Sequence, residues 1–170
     1  KYSWLLLLIT ASIICFFEFN NIVKKIWKRK KAYINFINLF SFFYLLFFTY
    51  AAFDIANTNK EVMLYVLLVC IFSDIGGYIV GKSIGGKKLT KISPNKTISG
   101  SIGSFIFSLF PIILFFLIYD LTNNKDFRIY KHEFDNVVAL CLFTCLICQL
   151  GDLIISYFKR KAKIKDTGSI

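Results

Sequence analysis

The sequence predicts an all-α protein, a polytopic integral membrane helix bundle of about five transmembrane helices, and three observations point there. Hydrophobic residues fill 56% of the 170 positions, 20 of them Phe, and the mean hydropathy is +0.62, well beyond a soluble domain. These residues gather into five runs, each near the ~20 residues that a hydrocarbon core requires. Basic residues collect between the runs and alternate in density from one connection to the next. With two prolines and no low-complexity tract, neither a disordered arm nor a second soluble domain fits. Residues 1–170 are therefore expected to be a single membrane domain.

Residues 2–17 form the first run, completed by Glu18 and Phe19 or by upstream residues. Lys24, Lys25, Lys28, Arg29, Lys30 and Lys31 follow, a juxtamembrane anchor for anionic headgroups. Residues 36–56 make the second span, with Asp54 near its far end as an interfacial acid, and Lys60 is the lone cation in the next connection. The third span covers about 62–80 and contains Asp74. After the lysine-rich segment 82–97 comes the fourth, 98–119, where Pro111 is expected to kink the helix. A mixed-charge loop, 120–135, holds the lone histidine, His132, read as solvated. The fifth span, 136–158, carries Gly151 and Asp152 near its end.

Counting cations along these connections gives six, one, five, three and five. Cytoplasmic segments carry the excess of Lys and Arg, so the segments at about 20–35, 82–97 and 159–170 are expected to share the cytoplasmic side. Asp74 then precedes Lys82 by eight residues and Asp152 precedes Lys159 by seven, which puts both acids roughly 10 Å below that interface. A charge in the hydrocarbon needs a partner, water or an ion. Two carboxylates at matching depth, each followed by a basic segment, have the chemistry of a site for a divalent cation and a polyphosphate.

Other features are better explained without chemistry. The formal net charge of +11 comes in bursts rather than along one amphipathic face, so membrane lipids and phosphate substrates are the expected partners and nucleic acid is not. Cys15, Cys70, Cys141, Cys145 and Cys148 all lie in apolar runs and read as packed thiols, including the three at helical spacing, which have no histidine nearby. Gly76 to Ser83 (GGYIVGKS) matches the phosphate-loop pattern G-x-x-x-x-G-K-[ST], but that motif needs a strand, a flexible turn and then a helix, and here it lies inside a membrane span. Gly77 and Gly81 read instead as a close helix-packing pair. The sequon at Asn95 faces the cytoplasm on this map and is discounted.

Three motifs in register carry a family resemblance: SDIGGYIVGKSIGGKKL around Asp74, then Ser93-Pro94-Asn95-Lys96-Thr97 with Gly100, then GDLIISYFKRKAKIKD from Gly151 to Asp166. Across roughly 73–166 the chain resembles the phosphatidate cytidylyltransferases, or CDP-diglyceride synthetases. The resemblance implies a membrane enzyme that joins CTP and phosphatidic acid with Mg²⁺, giving CDP-diacylglycerol and pyrophosphate in phospholipid biosynthesis. It implies Asp74, Asp152 and Asp166 as metal-holding or metal-organising carboxylates, with Lys96 and Lys165 beside them in catalysis. By the same resemblance Lys159 and Arg160 bind the triphosphate or the lipid headgroup, Ser93, Thr97 and Ser156 contact substrate or fix the loop, and Gly100 permits close approach. Lys161 and Lys163 read as an ordinary basic flank.

This chain has Ile155 where the family typically has Glu, and the family signature runs on past the segment that contains Lys165 and Asp166 into further motifs. A piece of a longer bacterial inner-membrane protein is therefore the expectation, with a homodimer left open. A CTP-dependent polyprenol or lipid kinase, or a transporter using intramembrane acids, are the other readings of the same residues.

Overall fold

The structure, a computed structural model, describes residues 2–90, 92–122 and 134–164. His132, Lys165 and Asp166 lie outside the described residues. Among the described residues six helices follow one another: α1 (Tyr2–Ile26), α2 (Lys31–Thr58), α3 (Lys60–Ile84), α4 (Ile98–Phe107), α5 (Phe110–Thr122) and α6 (Phe134–Lys161). Among the described residues no strand forms, and the one extended pairing is an isolated antiparallel bridge between Lys88 and Thr97. Five stretches of the described residues are long and apolar enough to cross a membrane, with α4 and the start of α5 acting together as Ile98–Ile118. The protein is a multi-pass, all-α integral membrane protein.

The helices outrun the apolar runs that announce them. Lysine is a good helix former and favours the negative C-terminal end of the helix dipole, so α1 continues through Lys24 and Lys25 in its last turn. The expected kink in the fourth span is a break. Pro111 has no N–H to give the carbonyl four residues back and its ring crowds that carbonyl, so α4 closes at Phe107 and α5 opens at Phe110. Ser108 N–H still donates to Ser104 O at 2.9 Å, Leu109 N–H turns to Ile106 O at 3.3 Å, and Ser108 Oγ donates at 2.7 Å to Phe105 O, the carbonyl that Leu109 would serve in a continuous helix.

The chain forms two compact units, one made of α1, α2 and the end of α6 from Ile155, the other of Glu61–Ile154. In the first, α1 and α2 are a hairpin around the turn at 27–30, where Lys30 N–H donates to Trp27 O at 2.9 Å. Polar pairs tie these helices: Ser12 Oγ lies 2.8 Å from Thr49 Oγ1, and Asn38 Nδ2 donates to Asn20 Oδ1 at 2.9 Å. Without water to compete, such pairs are a main source of helix association in lipid. The end of α6 joins through an edge-on contact of Phe158 with Phe19 (5.5 Å) and through Lys161 over the Trp27 ring (4.9 Å). Phe36, Phe40, Phe43, Phe47 and Tyr50 recur at helical spacing on an exposed face of α2, as a lipid-facing helix requires.

In the second unit Tyr65, Val69, Ile112, Phe115, Val137 and Cys141 form the core. Small polar and thiol groups stitch α3 to α6 at its edge. Tyr65 Oη is 2.7 Å from Cys141 Sγ, Ser73 Oγ is 3.2 Å from Cys145 Sγ, and the Cys70 and Cys148 sulfurs are 3.3 Å apart. Cysteine here acts as a small, polarisable packing residue.

Candidate functional site

The site begins with glycine. Gly76, Gly77 and Gly81 on α3 meet Gly100 and Gly103 on α4 so closely that a Cβ on Gly100 would fall 2.8 Å from Gly77 O, and one on Gly103 would fall 2.8 Å from Gly76 O. Only hydrogen fits there, and the two backbones touch. The phosphate-loop pattern from Gly76 to Ser83 lies wholly inside α3; its glycines serve this helix crossing.

α3 ends at Gly85, whose φ of +65° is the left-handed conformation of a helix-terminating glycine. The lysine-rich segment that follows is held by its own backbone. Leu89 N–H donates to Lys96 O at 2.8 Å and Ile98 N–H to Lys87 O at 3.0 Å, which draws 87–89 beside 96–98. Within the tip, Lys96 N–H donates to Ser93 O at 3.1 Å across Pro94, and Ser93 N–H donates to Thr90 Oγ1 at 3.2 Å. Thr97 then caps α4, its Oγ1 accepting from Gly100 N at 3.1 Å. Lys96 is thereby fixed one residue ahead of a helix N-terminus, where orphan N–H groups and the helix dipole favour anions.

These elements surround a cavity of about 270 Å³ lined by Asp74 and Gly77 of α3, Ser93, Asn95 and Lys96 of the loop, Thr97, Gly100, Ser101 and Ser104 at the cap and start of α4, and Gln149 and Asp152 of α6, with Tyr78 and Leu89. Lys96 Nζ donates to Asp152 Oδ2 at 2.6 Å, a charge-assisted bond between positions 56 residues apart. The Lys96 side chain is 29% exposed and that of Asp152 is 59% exposed; the cavity is a cleft with an open mouth. One turn deeper, Ser101 Oγ donates to Gln149 Oε1.

The structure thus brings Asp74, Ser93, Lys96, Thr97, Gly100 and Asp152 to one cleft. Ser156, Lys159 and Arg160 lie further along α6, in the part that belongs to the other unit. Gln149, Ser101 and Ser104 were not singled out from sequence. The available signal was spacing: Ser101 and Ser104 repeat Thr97 at helical intervals, and Gln149 stands three residues before Asp152 in an apolar run.

The donor set fits a hard cation. Among the described residues no cluster of three or more His, Cys, Asp or Glu forms, so the protein offers Asp74 and Asp152 as carboxylates, with hydroxyl and amide oxygens around them. Mg²⁺ is commonly held in this way, by one or two carboxylates, with substrate phosphates and water filling the octahedron.

A sequence model of the cytidylyltransferase family matches residues 1–170. Among curated relatives, the phosphatidate cytidylyltransferase of Bacillus subtilis (strain 168) is 32% identical over 141 residues, 81% of this chain and 49% of that protein. Those of Staphylococcus haemolyticus (strain JCSC1435) and Rickettsia bellii (strain RML369-C) are each 42% identical, over 64% and 66% of this chain and 38% and 47% of their own lengths. The chain spans about half the length, or less, of these relatives. No solved structure matches it significantly.

Proposed function

This chain belongs to the cytidylyltransferase family, and we propose that the protein condenses CTP with phosphatidic acid at the Asp74–Lys96–Asp152 cleft, releasing pyrophosphate and CDP-diacylglycerol. One observation carries the reading. The Lys96–Asp152 bond joins the serine-proline-x-lysine-threonine loop to the glycine-aspartate helix, with Asp74 lining the same cavity. Three separated motifs become one set of cation-holding and phosphate-holding groups.

In this reading a phosphate oxygen of phosphatidic acid attacks the α-phosphorus of CTP in line, forming a P–O bond as the bond to the pyrophosphate leaving group breaks. Asp74 and Asp152 would hold Mg²⁺, which when bound neutralises charge on the attacking and leaving oxygens. Lys96 turns from Asp152 toward a phosphate oxygen, and the α4 N-terminus behind Thr97 adds positive potential without rearrangement. The glycine crossing holds α3, with Asp74, close against the start of α4. Lys159 and Arg160, with Lys165 and Asp166 beyond them, contribute where the full-length protein brings them to the substrates. The cleft faces the cytoplasm, where CTP is found, which the alternating lysine clusters support.

The test is conversion of labelled CTP and phosphatidic acid by the full-length protein in lipid vesicles with Mg²⁺. CDP-diacylglycerol should form, and Asp74→Asn should lower turnover by at least about 10²-fold. Transfer of the γ-phosphoryl group to a lipid alcohol instead would make the protein a CTP-dependent lipid kinase and end the proposal.

A further inference from the structure

We propose that Gln149 is a positioning residue that holds Asp152 in place for its cation through a two-point clasp on Ser101. The proposal rests on the reading of the cleft given above. Gln149 Oε1 accepts the Ser101 hydroxyl hydrogen, while Gln149 Nε2 donates to the Ser101 carbonyl at 3.4 Å and to Cys145 Sγ at 3.4 Å. One side chain of α6 therefore grips both the side chain and the backbone of a single α4 residue, 48 positions away in sequence.

The clasp stands where it can act on the acid. Gln149 and Asp152 are three residues apart on α6, so they share a face one turn from each other. Ser101 is four residues after Thr97, and its N–H donates to Thr97 O at 3.0 Å, in the first turn of α4. Two links thus join α6 to this corner: Lys96–Asp152 at the mouth and Ser101–Gln149 one turn deeper. The first is temporary, because a phosphate that enters the cleft competes with Asp152 for Lys96. When Lys96 turns to the phosphate, the clasp keeps Asp152 facing the cavity. A carboxylate ligand held by an outer partner binds its cation more tightly, and losing such a partner typically weakens metal affinity by about 10–100-fold.

A polar pair that merely packs helices would serve stability alone, so the test reads cation affinity. Mn²⁺ binding to the full-length protein in nanodiscs, followed by electron paramagnetic resonance without nucleotide, should weaken at least about tenfold in Gln149→Ala and in Ser101→Ala. Ser101→Thr, which keeps the hydroxyl, should stay within about threefold of wild type, and the double alanine variant should be no worse than either single, since both cut one clasp. Cys145→Ala, which removes a packing thiol beside Gln149, should leave Mn²⁺ affinity unchanged.

Wild-type affinity in Ser101→Ala, equal weakening in Cys145→Ala, or no Mn²⁺ binding to the wild type overturns the proposal. If Gln149→Ala does not fold, the Ser101→Ala and Ser101→Thr pair still decides. A wild type that binds Mn²⁺ with the expected variant pattern but makes no CDP-diacylglycerol upholds the clasp and removes the activity. Product formation with unchanged affinities does the reverse.

Discussion

Lys96 and Asp152 link the loop to α6, yet at 29% and 59% exposure the pair is too open to be a strong source of stability. Such pairs are worth roughly 0–1 kcal/mol. Lys96→Met should therefore leave the thermal midpoint in detergent nearly unchanged while lowering turnover by about 10²-fold, the usual cost of removing a donor from developing phosphate charge. The charge-exchanged protein, Lys96→Asp with Asp152→Lys, separates the two roles. It can rebuild the ion pair but moves onto the loop the carboxylate proposed to hold the cation, so turnover should stay lost; recovery would mean that the pair is structural. Of this constellation, Asp74 and Asp152 were legible because an acid in an apolar run is costly and demands a reason. Lys96, Thr97 and Gly100 were legible only as parts of a motif. Ser101 and Gln149 were marked only by their helical spacing from Thr97 and Asp152, which is too weak to assign a role, and each acquires meaning from a partner 48 residues away.

At the level of elements, the α3–α4 crossing sets the width of the cleft. A side chain larger than hydrogen at Gly103 would meet Gly76 O at 2.8 Å, and the Val80 side chain also stands in the way. Both are helix positions that cannot retreat without opening the crossing. Gly103→Leu should destabilise the protein by about 1–3 kcal/mol, as overpacking does, and lower its thermal midpoint by several degrees, measured by fluorescence-detected unfolding in detergent. An unchanged midpoint with full turnover would show that the helices can separate freely and that the glycines do not fix the cleft. The sequence announced this crossing through Gly77 and Gly81, but not its partner, because Gly100 and Gly103 are spaced by three and their relation to α3 depends on the intervening loop. Hydropathy likewise marks where hydrocarbon begins, not where helix ends. α1 therefore runs to Ile26 through lysines that lie outside any apolar window, and the break after Phe107 falls ahead of Pro111, the residue that causes it.

For the whole molecule the governing quantity is the distribution of charge among connections. Each crossing reverses the side of the membrane, so if each of the five apolar stretches among the described residues crosses once, the 27–30 turn, the loop between α3 and α4, and the end of α6 should be labelled from one side and the short link at Asn59 from the other. Moving a dense lysine cluster across a bilayer is strongly disfavoured, and both the turn and the loop are basic, with Lys28, Arg29 and Lys30 of the turn and Lys87 and Lys88 of the loop exposed. In a cysteine-free background, Arg29→Cys, Lys88→Cys and Lys163→Cys should escape a membrane-impermeant maleimide in intact bacterial cells and react after permeabilisation, whereas Asn59→Cys should react before it. All four positions are exposed, so failure to label reports sidedness rather than burial. Lys88 decides the function. It lies opposite Thr97 in the bridge next to Lys96, and if it reacts in intact cells, the cleft opens away from the cytoplasmic pool of CTP and cannot be the site of its transfer to lipid.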